Sequence, residues 1–198
     1  MKKREHRALQ QPPQIEMRDS ASGGLPKIVG YAAIFNAETD IGGFFRERIK
    51  PGAFARAIAE QQDVRALFNH DANFLLGRLG AGTLRMAEDE QGLRVEIDPP
   101  DTQTGREVVE LIRRGDIYGM SFGFMAMKES WDSTEDGVAL RILEDVDLFD
   151  VSPVTFPAYE KTEVSVRSAA EAVLQERHRR VNAAHRLMRM RLRLAEIA

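Results

Sequence analysis

Cysteine is absent from the 198 residues. Disulfides, thiolate metal sites and a cysteine nucleophile are excluded together, and a reducing compartment fits. Histidine is scarce, with four in the chain. His6 lies in a polar start, His178 and His185 lie in a basic tail, and His70 alone falls in the region expected to form the core. A structural or catalytic zinc site wants three or four ligands, so one core histidine argues against it. No EF-hand spacing offers a hard cation its ligands. No apolar run approaches the ~20 residues that span a bilayer. The charged stretch Met1 to Gln11 is followed by no apolar h-region, so it does not read as a secretory signal. A net charge of -3 and a pI of 5.9 leave no overall excess of positive charge for nucleic acid. The expectation is a soluble intracellular protein without cofactor or metal.

What is present suits one globular domain with tails: 43% hydrophobic and 30% charged residues. Three segments follow: a flexible polar leader over 1–25, a core domain over 26–167 and a basic helical tail over 168–198. Strand patterns recur at Ile28 to Phe35, Phe44 to Ile49 and Val64 to Phe68. Thr83 to Met86 and Leu93 to Ile97 alternate strictly around the polar tip Glu88 to Gly92, which predicts a hairpin. Pro51 to Ile58 predicts a short helix begun by proline. Thr104, with Glu107 three residues on, predicts a capped helix that Gly115 ends. Further strands are expected at Gly119 to Lys128, Ala139 to Leu143 and Leu148 to Phe156. Pro153 and Pro157 mark the last as an edge or bulged strand. Many short strands with two helices predict a mainly β fold, a small closed or partly closed barrel flanked by helices.

The chemistry centres on Gly119-Met120-Ser121-Phe122-Gly123-Phe124. In a strand, Tyr118, Met120, Phe122, Phe124 and Ala126 share a core face, and Ser121 stands on the other face between two glycines. That displays a nucleophile, or else lets another backbone come close while the serine fills the gap. A serine nucleophile needs a base within reach, and His70 is the imidazole on offer. A third group must orient that imidazole. Asp150 lies in the apolar run Leu148-Phe149-Asp150-Val151, where a carboxylate is costly unless it has a partner. That partner is His70, or else Asp150 pairs with an arginine or caps a bulge. Asp71 is the weaker candidate, because neighbours on extended chain point apart. Ser152 also lies in an apolar strand but lacks the flanking glycines.

Taken in order, several pieces resemble the prohead maturation proteases of tailed bacteriophages, a family distantly similar in fold to the herpesvirus protease assemblin. They are Gly30-Tyr31-Ala32-Ala33-Ile34-Phe35-Asn36, Pro51-Gly52-Ala53-Phe54, Leu67-Phe68-Asn69-His70-Asp71, Leu75-Leu76-Gly77-Arg78, Pro100-Asp101-Thr102, Arg113-Arg114-Gly115-Asp116, the Ser121 segment, and Asp150 to Tyr159. The resemblance implies an assemblin-like fold and a serine endopeptidase acting in the bacterial host cytoplasm inside an assembling prohead. Its substrates would be the major capsid protein, scaffold segments and the protease itself. The family's histidine falls on His70, its nucleophile on Ser121 and its acidic third member on Asp150. By analogy, the turn at Pro157-Ala158-Tyr159 would serve the oxyanion. The long tail helix carries Arg177, Arg179, Arg180, Arg186, Arg189, Arg191 and Arg193. It reads as a solvated amphipathic helix, a docking segment for self-association or the shell, or a phosphate-binding stretch. The competing function class is a non-enzymatic assembly or scaffold-binding module.

Overall fold

The computed structural model describes residues 4–8, 16–18 and 24–156. The tail helix expected from residue 168 and the turn at Pro157-Ala158-Tyr159 lie outside the described residues. Among the described residues, eleven strands and two α-helices follow one another: β1 (Glu5–Ala8), β2 (Glu16–Arg18), β3 (Lys27–Ile34), β4 (Glu38–Ile41), β5 (Phe45–Ile49), α1 (Ala55–Ala59), β6 (Arg65–Phe68), β7 (Asp71–Arg78), β8 (Leu84–Glu88), β9 (Gly92–Ile97), α2 (Gln103–Arg114), β10 (Gly119–Ser133) and β11 (Ala139–Val154).

These strands make two sheets, and neither closes into a barrel. The larger runs β1-β10-β11-β5-β4, with β6 joined to β11 and β7 to β6. The smaller runs β2-β3-β9-β8. The closed or partly closed barrel expected from the many short strands is therefore corrected to two open sheets sharing a core. The pairings explain why. β3 pairs β9 within the small sheet, whereas β10 and β11 form a long hairpin that gathers the other strands around itself. One apolar cluster joins the sheets. Ile28, Leu84, Leu93 and Ile97 come from the small sheet, Met120, Phe122, Phe124 and Leu143 from the large one, and Val108 and Ile112 from α2.

Other expectations need adjustment. Two strands, β1 and β2, come from the segment read as a polar leader. The two strands expected over Ala139–Leu143 and Leu148–Phe156 are one continuous strand, because the acids between them face ionic partners. Arg56 holds Asp145 and Asp147, and Lys128 holds Glu144. Of the two readings its prolines offered, the strand is bulged and not an edge, since the ladder with β10 shifts register and β5 and β6 pair with it on the side away from β10. α2 is capped by Thr102, whose Oγ accepts from Gly105 N at 3.2 Å, and not by Thr104. Thr102 is extended (φ -108°, ψ 171°), the geometry a cap requires, and Gly115 ends the helix at φ 82°. α1 starts only at Ala55, since Gly52 at φ 90° cannot belong to a right-handed helix. Tyr118 precedes β10 and is half exposed, not core. No helix among the described residues is long and apolar enough to cross a membrane.

Candidate active site

Two strands and a hairpin loop bring the predicted residues together. β10 carries Ser121, which pairs with Ser152 of β11; two residues on, Gly123 pairs with Asp150. Phe122 opposes Val151, yet Phe124 opposes Leu148, so Phe149 is an extra residue bulged out of the ladder. Without the bulge, Leu148 and Asp150 would share a face. With it, Leu148 joins the phenylalanine face while Asp150 joins the face of Ser121.

His70 arrives from a tight hairpin. Phe68 of β6 pairs with Asp71 of β7, which leaves Asn69 and His70 as the two-residue loop. Both sit at positive φ, 54° and 59°, the conformation that such a turn demands. For a histidine this backbone is uncommon and must be held in place by its surroundings. Asn69 does the holding. Its backbone N–H donates to Pro153 O at 3.0 Å, its Oδ1 accepts from Thr155 N at 2.9 Å, and its Nδ2 donates to Thr155 Oγ1 at 3.0 Å. The loop tip is thereby tied to the end of β11, the strand that carries Asp150.

The result is a line of hydrogen bonds. Asp150 Oδ1 lies 2.5 Å from His70 Nδ1, and His70 Nε2 lies 2.6 Å from Ser121 Oγ. An ionised carboxylate only accepts, so Nδ1 carries the ring proton and Nε2 keeps a lone pair for the serine. Asp150 is fully buried and Ser121 nearly so. Burial alone would raise the Asp150 carboxyl. The hydrogen bond and charge of His70, then the hydroxyl of Ser152 and the guanidinium of Arg4, together hold it below the ordinary carboxylate range. Ser152, set aside as a nucleophile, thus donates to Asp150 at 2.9 Å. Asp71 turns away, accepting from Asn73 N and Nδ2.

Gly123 makes the close approach of Asp150 feasible. A Cβ there would sit 2.2 Å from Asp150 Oδ2 and 3.2 Å from His6 Cδ2. Gly123 therefore relates to both readings offered by the sequence. The face is stripped of bulk for a neighbouring side chain, and the serine is presented to the histidine.

His6 was missed, having been counted with the leader. Its ring stacks on that of His70, with centroids 3.9 Å apart and planes 21° from parallel. Burial and then the neighbouring His70 lower its pKa to about 4, so it stays neutral at ordinary pH. No local motif could have revealed this contact, which depends on β1 pairing with a strand over a hundred residues away. Ligand atoms of His6, His70 and Asp150 lie within 4.8 Å of one another. Both ring nitrogens of His70 already have partners, however, and stacked rings aim their lone pairs side by side rather than at one point. This arrangement suits proton transfer better than chelation.

A family model for Caudovirus prohead serine proteases matches residues 13–176. The chain belongs to that family. The protease also resembles a solved structure, the capsid assembly protease gp21 of bacteriophage T4. The TM-score is 0.51 at 14% identity, over 77% of this chain and 98% of that one. At this identity the likeness concerns the fold. No curated protein matches the chain.

Proposed function

We propose that this serine protease uses Ser121 as nucleophile, His70 as general base and acid, and Asp150 as the group that orients the imidazole. It would trim scaffold segments, or the scaffold-like part of the capsid protein, within an assembling phage prohead. The observation that carries this reading is the unbroken line from Asp150 through His70 to Ser121. His70 Nε2 takes the hydroxyl proton as Ser121 Oγ bonds to the peptide carbonyl carbon. It then gives that proton to the leaving amine, and water repeats the sequence on the acyl-enzyme. Asp150, kept ionised by its three donors, fixes the proton on Nδ1 and stabilises the imidazolium that forms. Backbone N–H donors for the oxyanion would add ~10²–10³ in rate.

Co-expression of the protease with the major capsid protein of the same phage tests the substrate. Trimmed capsid protein is expected with the wild-type chain and full-length capsid protein with Ser121→Ala. Identical products from both would instead favour a passive scaffold-binding role.

A further inference from the structure

β10 has β11 on one side. On its other side, among the described residues, lies only the short strand β1. A protease that binds extended peptide commonly does so by adding a strand to such an edge, with alternate side chains entering pockets. β1 runs antiparallel to β10 in the register Glu5↔Phe124, His6↔Gly123, Arg7↔Phe122 and Ala8↔Ser121. Ala8 is the ladder partner of Ser121, and the hydroxyl of Ser121 donates to the carbonyl oxygen of Arg7 at 2.9 Å. The carbonyl that the serine hydroxyl meets belongs to the Arg7–Ala8 peptide bond.

The side chains of β1 divide between two faces. His6 and Ala8 share the face of Ser121, where His6 stacks on His70. Glu5 and Arg7 enter the opposite side and meet fixed charges. Arg7 is 5% exposed; its Nε reaches Glu47 Oε1 at 2.5 Å, its Nη2 reaches Glu47 Oε2 at 3.0 Å, and its guanidinium lies 5.3 Å from the Phe124 ring. Glu5 takes two bonds from Arg141, at 2.7 and 3.0 Å. Arg141 is itself held by Glu47 and Glu129. Glu47 and Arg141 sit opposite one another on paired strands, and both are buried. A buried charge needs a partner, and here each of the two protein charges has one on β1. Arg4 extends the pattern by lying over the Phe149 ring, 4.9 Å from its centroid, while bonding Asp150.

We propose that this trough along β10 is the substrate groove, with Glu47 selecting a basic side chain immediately before the cut and Arg141 selecting an acidic one two residues earlier. Arg4 and the strand β1 are its resident occupant, and the Arg7–Ala8 bond is a self-cleavage site. This rests on the protease reading of Ser121 and adds the substrate class. Ser121 Oγ bonds to the Arg7 carbonyl carbon and the bond to Ala8 N breaks. His70 delivers the proton to the Ala8 amine, and water then releases Arg7 as a carboxylate. The same contact would hold the uncut protease inactive toward other chains. The serine has one proton and two acceptors, His70 Nε2 and Arg7 O, and β1 covers the edge that any other peptide must use.

The test uses the full chain. Purified wild type and Ser121→Ala are incubated and their N-termini read by intact mass. Wild type should begin at Ala8, and Ser121→Ala should keep residues 1–7. Synthetic peptides spanning residues 1–14 are then offered to the wild type with arginine, citrulline or glutamate at position 7. Citrulline should lower kcat/KM at least about tenfold, since a charge-assisted contact is lost, and glutamate should abolish cleavage. In Glu47→Gln the ratio of arginine to citrulline rates should fall toward one. The peptide series on wild type stands even where that variant fails to fold. If wild type trims capsid protein yet keeps residues 1–7, or cleaves the three peptides equally, the groove assignment is overturned while the protease reading stands. If wild type cleaves neither capsid protein nor peptide, both are overturned.

Discussion

At the scale of single residues, the site depends on one position that does no chemistry, Gly123, as well as on the residues that do. Gly123→Ala would drive a methyl group into Asp150 Oδ2, which cannot retreat because His70 and Ser152 hold the other oxygen. The expected outcome is a loss of about 1–3 kcal/mol in stability from overpacking. A displaced orienting group should also lower kcat by about 10²-fold. Urea unfolding and peptide turnover measure the two separately. Asp150→Asn probes the other side of the same contact. An amide can donate toward Nδ1 and leave the ring proton on Nε2, the wrong nitrogen. A fall of about 10⁴ in kcat is expected with substrate binding preserved, read from steady-state kinetics. Much at this scale was legible in the sequence. Ser121 was marked by its glycines, His70 by the shortage of imidazoles, and Asp150 by the cost of a carboxylate in an apolar run. Asn69 and Ser152 were not legible as helpers, because their roles come from hydrogen bonds across strands.

At the scale of elements, three local devices aim the site: a left-handed two-residue hairpin for His70, a bulge at Phe149 for Asp150, and an added strand, β1, over Ser121. The prolines marked the last strand as an edge or bulged, but periodicity could not place the bulge at Phe149, since one surplus residue is invisible until the partner strand fixes the register. It could not place β1 either, since Glu5 and Arg7 look like solvent residues until Arg141 and Glu47 are seen to await them. The docked strand should respond to acid. His6 faces His70, Asp150, Arg4 and Arg7, and docking lowers its pKa from 6.5 to about 4. The free strand therefore binds more protons than the docked one between these values, so docking is full above 6.5 and weakens as pH falls. Glu5 acts in the same direction lower down. Burial would raise its carboxyl, but Arg141 and Arg7 hold it below its ordinary 4.5, so its contribution is lost as pH falls through that depressed value. In the Ser121→Ala chain, amide exchange of residues 5–8, corrected for intrinsic rates, should be faster at pH 5 than at pH 8. Equal protection at both would contradict the assignment.

At the scale of the whole molecule, two open sheets share one core, and a long β10–β11 hairpin gathers the site onto one surface. The mainly β character was readable from the many short alternating runs, and closure was not, because it depends on which strands share hydrogen bonds. The central claim for the whole molecule is that Ser121 is a nucleophile activated by His70. Treating the wild-type chain with a fluorophosphonate and mapping the adduct by mass spectrometry tests that claim most directly. Labelling at Ser121 in wild type, and its loss in His70→Ala, is the predicted result. No adduct at Ser121, or an adduct that forms equally fast without His70, would contradict it.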